Sequence, residues 1–298
     1  MAIAILSRGN CGLSKCITLY LVAMATSDLS VIVFEVILNR VSGLYWSQSF
    51  LFYTPVCRLI QFLAPVAIDC SVWFTVAFTF DRFVALSTQN LKNEYCTERT
   101  AVVLLVTLCA LFCLKNLPWP FAYVAIDVYN EGISRDCRIS SHFYTMPAWV
   151  AFSWTEQLLT PVVPFCLILL FNILTVRRIL FASRIRRSLR DLSSVVKEKD
   201  PEMGKRRQSI ILLLAISSSF IMLWATTVAY FIYFQTTKAF RRRTWIRPLA
   251  TFERIGVMLH LLSSCTNTAI YSVTQRKFRM QLLQALKYLL TGLYKSVK

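Results

Sequence analysis

The chain has 298 residues, of which 56% are hydrophobic, 16% are charged and only seven are glycine. A soluble domain of this length usually carries about 25% charged residues, so the composition excludes an ordinary soluble domain and indicates a polytopic membrane protein. The net charge of +18 does not require a nucleic-acid partner, because the basic residues are concentrated on one side of the predicted membrane.

Six stretches of the sequence are long and apolar enough to cross a bilayer as helices, which takes about 20 residues each. The clearest lies within 208–237, thirty residues without a charge. The first six residues, MAIAIL, are apolar but too short to cross, and we expect them to be the inner end of a helix whose outer part is missing. The fold class is therefore all-α, a transmembrane helical bundle. Its six complete spans are predicted at 16–38, 57–80, 101–122, 148–176, 208–234 and 252–273.

The distribution of Lys and Arg orients these spans, because cytoplasmic loops are enriched in basic residues. The segments 1–15, 82–99, 177–207 and 276–298 fall on one side and hold 22 of the 33 basic residues. We therefore expect this side, and the C-terminus with it, to be cytoplasmic. The outer loop TKAFRRRTWIRP, at 237–248, runs against the trend. It is either a basic rim over the outer end of the bundle or an ordinary solvated loop.

Cysteine placement agrees with this topology. Of the ten cysteines, only Cys57 and Cys137 fall on the predicted outer side. That side is oxidising, so the two thiols are free to form a disulfide, which would pin the loop 123–147 over the mouth of the bundle. The alternative is two free thiols. A zinc site is not expected, because His142 and His260 are far apart and no Cys-x-x-Cys accompanies them.

Several short motifs follow one another along the chain. They are Leu21 and Asp28 in LVAMATSD, Cys57, the triplet DRF at 81–83, Pro164 in TPVVPF, FIMLW at 220–224 and NTAIY at 267–271. With these motifs and spacings the chain resembles the rhodopsin-like (class A) G-protein-coupled receptors over nearly its whole length. An amphipathic stretch with Phe278 follows, like the short eighth helix of that family. Within the family the chain is similar to an orphan branch related to receptors that sense aromatic amino acids and peptides.

The resemblance implies a single receptor domain of the seven-helix type over 1–298. In it, 1–15 would be the remainder of helix 1 and the first inner loop, 16–273 the six spans, and 274–298 an amphipathic helix and tail. It also implies a plasma-membrane protein, not an enzyme, that binds an extracellular small amine, amino acid or peptide and activates a heterotrimeric G protein. The alternative is a six-span carrier, although the sequence lacks the threefold repeat that mitochondrial carriers need.

Four residues are expected to couple the receptor to its G protein. The resemblance implies that Asp81 holds Arg82 at rest, and that Arg82 moves into the G protein when the helices open. The alternative is an ordinary ion pair at a helix end. Asn172 stands where the family usually has Tyr on the fifth helix, and Tyr271 ends the NTAIY motif.

No cofactor is expected apart from one candidate that the resemblance implies, a sodium ion acting as an allosteric modulator. Asp28, Ser71 and Asn267 match positions that hold sodium in many such receptors, and oxygen ligands around a carboxylate suit a hard cation. The alternative is a water-filled polar network without an ion.

Acidic residues in the outer halves of the spans are candidates for ligand binding. Asp69 lies thirteen residues before Arg82, which places it about 20 Å above the inner face, on the floor of an outward-facing cavity. These acids could hold an amine, and Trp224 offers an aromatic surface beside them. For each acid the alternative is an interhelical hydrogen bond or, for Glu253, exposure at the lipid edge. The other acids of this set are Glu35, Glu156 and Glu253.

The lipid bilayer is the remaining expected partner. The inner loop 177–207 carries eleven basic residues, which suit acidic lipid headgroups and leave a share for G-protein contact. Apolar residues recur at helical spacing in 278–294, which predicts an interfacial helix.

Overall fold

The computed structural model describes residues 2–8, 13–45, 50–87, 95–128, 134–192, 201–236 and 247–296. The first half of the chain begins with a short helix α1 (Ala2–Ser7). The long helix α2 runs through Lys15–Val31, continues as a π-helix at Ile32–Val41 and ends with the turn Ser42–Tyr45. It is followed by α3 (Thr54–Ser87) and α4 (Glu98–Asn116).

The second half is also helical, apart from one hairpin. α5 consists of Pro147–Gln157, a π-helical turn Leu158–Val162 and Val163–Leu192. α6 (Pro201–Thr236), α7 (Arg247–Thr274) and α8 (Arg276–Ser296) follow. Between α4 and α5, a helical turn Trp119–Ala122 leads into the antiparallel strands β1 (Tyr123–Val128) and β2 (Ser134–Ile139), in which Tyr123 pairs with Ile139 and Val128 with Ser134.

Local sequence signals set several helix starts. The Ser14 hydroxyl accepts a hydrogen bond from the backbone N–H of Ile17 and caps α2, and Thr97 caps α4 in the same way through Thr100. Pro147 occupies the first turn of α5, where its missing N–H costs no helical hydrogen bond. Residues at their N-termini therefore determine where α2, α4 and α5 begin.

Five of the six predicted spans coincide with helices whose length and composition allow them to cross a membrane. Within the described ranges these are Lys15–Val41, Thr54–Ala85, Glu98–Ala122, Pro147–Phe181 and Ile210–Tyr233. The sixth prediction, 252–273, falls inside α7, which is a continuous helix of 28 residues. α7 is less apolar than these five spans because it contains the polar run SSCTNT. The polar side chains of this run contact α2 and α6 inside the bundle.

Two hydrophobic clusters hold the bundle together. The larger one joins α1, α2, α3, α4, α6, α7 and α8 at the end of the bundle that carries Asp81, and it includes Leu21, Phe78 and Tyr271. Phe278 of α8 meets the Tyr271 ring edge-on, with centroids 6.0 Å apart, so α8 packs against the bundle instead of projecting away from it. The smaller cluster joins α3, α5 and α6 around Ile168 and Trp224.

α6 and α7 approach each other closely at Gly256. The Thr227 hydroxyl of α6 donates a hydrogen bond to the Gly256 carbonyl at 3.1 Å, and a Cβ at position 256 would lie 3.1 Å from the same hydroxyl oxygen. Small residues permit this kind of close helix packing in membranes. The contact sets the wall of the cavity described below, which Thr227 and Val257 both line.

Candidate functional site

The predicted coupling pair lies at one end of α3. Asp81 and Arg82 are both buried, and Arg82 Nε donates to Asp81 Oδ2 at 2.9 Å while its Nη2 contacts the same oxygen. The other carboxylate oxygen, Oδ1, accepts from the thiol of Cys16 on α2 at 3.5 Å. Asp81 therefore connects Arg82 to a neighbouring helix, an arrangement that adjacency in the sequence did not reveal.

The other two predicted coupling residues contact different helices. The side-chain oxygen Oδ1 of Asn172 on α5 accepts a hydrogen bond from the Ser217 hydroxyl on α6 at 2.9 Å. Tyr271 is fully buried and packs on Phe278 of α8. Its hydroxyl has no hydrogen-bond partner within the described part of the chain. Each of these residues thus sits at a junction between two helices.

The three residues predicted to hold sodium come together midway along α2, α3 and α7. Buried Asp28 accepts a hydrogen bond from Ser71 Oγ at 2.6 Å and another from Asn267 Nδ2 at 2.8 Å. A cavity of about 10 Å³ adjoins Ser71 and Asn267 and is lined by four further Ser and Thr residues. This volume admits about one water molecule or small ion. One carboxylate among hydroxyl and amide groups is a donor set that a hard cation accepts, although Asp28 itself is not among the residues that line this cavity.

A larger cavity of about 260 Å³ lies nearer the hairpin end of the bundle. Three of the predicted ligand residues line it: Asp69 of α3, Glu156 of α5 and Trp224 of α6. Most of the other lining residues are apolar or aromatic, as is typical of small-molecule sites. The sequence-based placement of Asp69, from the helical rise alone, agrees with this position.

The two cavity acids share a buried cation that sequence reasoning did not assign to them. Lys115 Nζ lies 2.7 Å from Asp69 Oδ2 and 3.0 Å from Glu156 Oε2. Asn116 Nδ2 also donates to Asp69 Oδ2 at 2.6 Å, and Thr160 Oγ1 donates to Oδ1 at 2.7 Å. A lysine inside an apolar span needs a partner of opposite charge. Its position in the span was therefore the sequence signal that could have predicted contact with an acid. We call Asp69, Lys115 and Glu156 the buried charge cluster.

An aromatic stack forms another part of the cavity wall. Trp224 stacks on Phe220 with centroids 5.2 Å apart and faces His260 of α7 at 4.9 Å. Trp224 Nε1 donates to the Ser263 hydroxyl at 3.2 Å, which fixes the indole. His260 and Trp119 also line the cavity; neither was predicted, because only the packing of α7 and of the turn after α4 brings them there.

Glu35 lies outside this cavity, in the π-helical part of α2. Its carboxylate accepts from Arg40 Nε at 2.7 Å and from Asn39 Nδ2 at 2.9 Å. Asn39 in turn accepts from Gln61 Nε2 on α3 at 3.1 Å, and Tyr123 of β1 donates to Gln61 Oε1 at 3.2 Å. Both partners of Glu35 thus belong to its own helix, and Asn39 makes the contact with α3. The side chain of Glu253, the fourth predicted acid, lies outside the described residues.

The hairpin is tied to the adjacent end of α3. Arg58 Nε donates to the Tyr123 carbonyl at 3.0 Å, and the neighbouring Cys57 is disulfide-bonded. Cys137 lies in β2, paired with Ala125 in the strand register, and its side chain is outside the described residues. The disulfide between Cys57 and Cys137 therefore stays a prediction.

Comparison with known proteins identifies the family. The model of the 7 transmembrane receptor (rhodopsin family) matches residues 1–271. The chain is 24% identical to the tachykinin-like peptides receptor 86C of Drosophila melanogaster over 75% of this chain and 43% of that receptor. It is 24% identical to the thyrotropin-releasing hormone receptor of Ovis aries over 87% of this chain and 67% of that receptor. It is 26% identical to G-protein coupled receptor 182 of Homo sapiens over 73% of this chain and 48% of that protein.

The chain thus spans 43% to 67% of the length of these relatives, whereas the family model covers most of the chain itself. The protein belongs to the rhodopsin family of seven-transmembrane receptors, whose members are receptors and not enzymes.

Proposed function

We propose that the chain is a plasma-membrane receptor whose single domain, 1–298, binds an extracellular ligand and activates a heterotrimeric G protein from the Asp81 end of the bundle. The observation that carries this proposal is the buried Asp81–Arg82 pair. In this orientation the C-terminus and α8 are cytoplasmic, and the hairpin and the 260 Å³ cavity face outward. The basic segments 177–207 and 276–298 then meet the acidic inner leaflet.

The pair suits a switch for a physical reason. Two charges removed from water are tolerated when they are paired, whereas leaving one of them buried alone costs about 3–5 kcal/mol. Arg82 can therefore leave Asp81 only if it gains another partner or reaches water. A G-protein surface offers such partners, and the planar guanidinium of Arg82 donates in a fork that matches carboxylate and carbonyl oxygens. Partner binding and helix opening are coupled in this way.

Ligand-free nucleotide exchange in cells tests the pair without knowledge of the ligand. Asp81→Asn keeps the shape and removes the charge that holds Arg82, so basal exchange should rise. Arg82→Ala should abolish exchange, alone and combined with Asp81→Asn. Lys15→Ala is the matched control, because Lys15 forms an exposed ion pair with Glu98 near the same end of the bundle. Equal exchange by the wild type, Asp81→Asn, Arg82→Ala and the double variant at equal surface expression would remove Asp81 and Arg82 from the mechanism.

On the outer side, we propose that the ligand enters the cavity bounded by Asp69, Glu156 and Trp224. The ligand would be a small amine, an amino acid or one end of a peptide. Two of the relatives are named for peptide ligands, tachykinin-like peptides and thyrotropin-releasing hormone, which supports a peptide as one source. A disulfide from Cys57 to Cys137 would hold the hairpin across the cavity mouth. Recovery of both cysteines as free thiols in non-reduced peptides would contradict that bridge.

We further propose that sodium, bound by Asp28, Ser71 and Asn267, stabilises the resting receptor. The ion would supply a positive charge to a carboxylate that now accepts only neutral donors among the described residues. Replacing sodium by N-methylglucamine should then raise basal exchange in the wild-type receptor and have no effect on Asp28→Asn. An equal response of both chains would argue for a polar network without an ion.

A further inference from the structure

The two oxygens of the Asp81 carboxylate are used by different groups. Both contacts that Arg82 makes with this carboxylate, through Nε at 2.9 Å and through Nη2, end on Oδ2. Oδ1 accepts a hydrogen bond from the thiol of Cys16 on α2, at 3.5 Å. A guanidinium group holds a carboxylate most firmly when two parallel N–H donors meet its two oxygens. The Asp81–Arg82 pair is therefore buried but does not have this bidentate form.

A small rotation would make the pair bidentate. Nε and Nη2 of Arg82 are donors on one edge of the guanidinium group, and such an edge matches the two oxygens of a carboxylate. Rotation about χ2 of Asp81, a terminal torsion with a broad energy minimum, would turn Oδ1 toward one of these donors. The hydrogen bond from Cys16 opposes this rotation, because it is made only when Oδ1 faces α2.

Cys16 is held in place by contacts that tie α2 to the start of α4. The residue is buried, with 5% of its surface exposed. The preceding residue, Lys15, forms an ion pair with Glu98 of α4 at 3.3 Å. Cys96, two residues before Glu98, donates from its thiol to the backbone carbonyl of Asp81 at 3.6 Å. Two thiols from different segments thus contact Asp81, one at its carboxylate and one at its backbone.

We propose that Cys16 is a positioning residue of the switch, whose thiol keeps Oδ1 of Asp81 away from Arg82, so that one carboxylate oxygen alone holds the guanidinium group. This inference rests on the proposed receptor function and concerns the strength of its resting state. A thiol is a weak donor, so its effect depends on the packing that places it against Oδ1. Arg82 then leaves Asp81 more readily than it would leave a bidentate partner, and ligand-free exchange is higher.

Ligand-free nucleotide exchange at equal surface expression tests this role. Cys16→Val is close in volume and removes the donor, so Oδ1 becomes available to Arg82. We expect basal exchange to fall by about tenfold, the change in an equilibrium constant that one added charge-assisted hydrogen bond produces. Cys16→Ser keeps a donor at this position, so its exchange should stay well above that of Cys16→Val. Cys166→Val, at an exposed cysteine of α5, is the matched control.

A double-mutant comparison shows whether Cys16 acts through Asp81. In the Asp81→Asn background, Cys16→Val should have no further effect on exchange, because the carboxylate that Cys16 and Arg82 share is gone. Cys16 also belongs to the larger hydrophobic cluster. A role in packing alone would lower exchange in both backgrounds, and serine would not restore it.

The hydrogen bond of the thiol also has a spectroscopic signature that needs no G protein. Hydrogen bonding lowers the S–H stretching frequency, and the infrared difference spectrum between the wild type and Cys16→Val isolates the Cys16 band from those of the other cysteines. We expect this band at a lowered frequency in the wild-type receptor. It should move to a higher frequency in Asp81→Asn, where the acceptor has lost its charge.

Three results would overturn the inference. They are basal exchange that Cys16→Val leaves unchanged or raises, an undiminished effect of Cys16→Val in the Asp81→Asn background, and a Cys16 band at the frequency of a free thiol. Failure of the proposed function is distinguishable, because it appears as the absence of opposite effects of Asp81→Asn and Arg82→Ala on exchange. The infrared band does not depend on coupling, so it tests the thiol contact in either case.

Discussion

Replacement of Lys115 by methionine should destabilise the receptor. Methionine keeps the length of the side chain and removes the ammonium. The ion pairs that this substitution breaks are largely buried, because the side chains of Lys115, Asp69 and Glu156 are 13%, 1% and 12% exposed. Two carboxylates would then face each other without a cation.

The size of the effect follows from this burial. Removing one partner of a buried ion pair costs about 3–5 kcal/mol. For chains of 150–250 residues, 1 kcal/mol shifts the midpoint of thermal unfolding, Tm, by about 2–4 °C. We therefore expect Tm to fall by about 6–20 °C. Thr160 and Asn116 still donate to Asp69, which places the result toward the lower end of the range.

Thermal unfolding of purified receptor in nanodiscs, followed by a thiol-independent fluorescence signal, measures this shift. Lys15→Met is the control, since Lys15 and Glu98 are 83% and 56% exposed and such surface pairs contribute about 0–1 kcal/mol. Adding Asp69→Asn and Glu156→Gln to Lys115→Met should recover stability, because no charge is left unpaired. If Lys115→Met lowers Tm no more than Lys15→Met does, the buried charge cluster is not an energetic unit and the reasoning is refuted.

Three further predictions concern the junctions between helices. Tyr271→Phe should raise Tm, because the buried hydroxyl has no partner in the described chain and an unsatisfied hydroxyl costs about 1–3 kcal/mol; a clear fall in Tm would mean that the hydroxyl is hydrogen-bonded. Ser217→Ala and Asn172→Ala break the same hydrogen bond between α5 and α6. A hydrogen bond contributes about 1 kcal/mol, so each substitution should change basal exchange by about fivefold at most. The double variant should match either single variant, and additive effects would contradict this. Cys57→Ser and Cys137→Ser should lower surface expression equally, and the double variant should be no worse than either, whereas additive losses would argue against a shared disulfide.

The sequence was most informative where a motif fixes the position of a residue along its helix. Asp28, Ser71 and Asn267 are far apart in the chain, and their predicted meeting is present in the structure. Asp69 was placed by counting helical rise from Arg82, and it does line a cavity shared with Glu156 and Trp224. Rise along a straight helix is a local property, so counting suffices for it.

Partners across helices could not be read in the same way. Lys115 lies within the predicted span 101–122, but its contacts with Asp69 and Glu156 depend on how α3, α4 and α5 pack. Glu35 was predicted to bind the ligand because it is an acid in the outer half of its span. The structure has a π-helix at Ile32–Val41, in which residues five apart come close, and Glu35 pairs with Arg40 instead. The residues 32–41 show no sequence pattern that predicts a change from α-helical to π-helical geometry.

The most direct test of the receptor account is nucleotide exchange in a reconstituted system. The chain in nanodiscs is mixed in turn with purified heterotrimeric G proteins of each class, without ligand. We predict that at least one class exchanges nucleotide faster than with empty nanodiscs, that Asp81→Asn increases the rate, and that Arg82→Ala abolishes it. If folded, monodisperse Asp81→Asn accelerates no G protein, the claim that Arg82 is the coupling residue of a G-protein-activating receptor is contradicted.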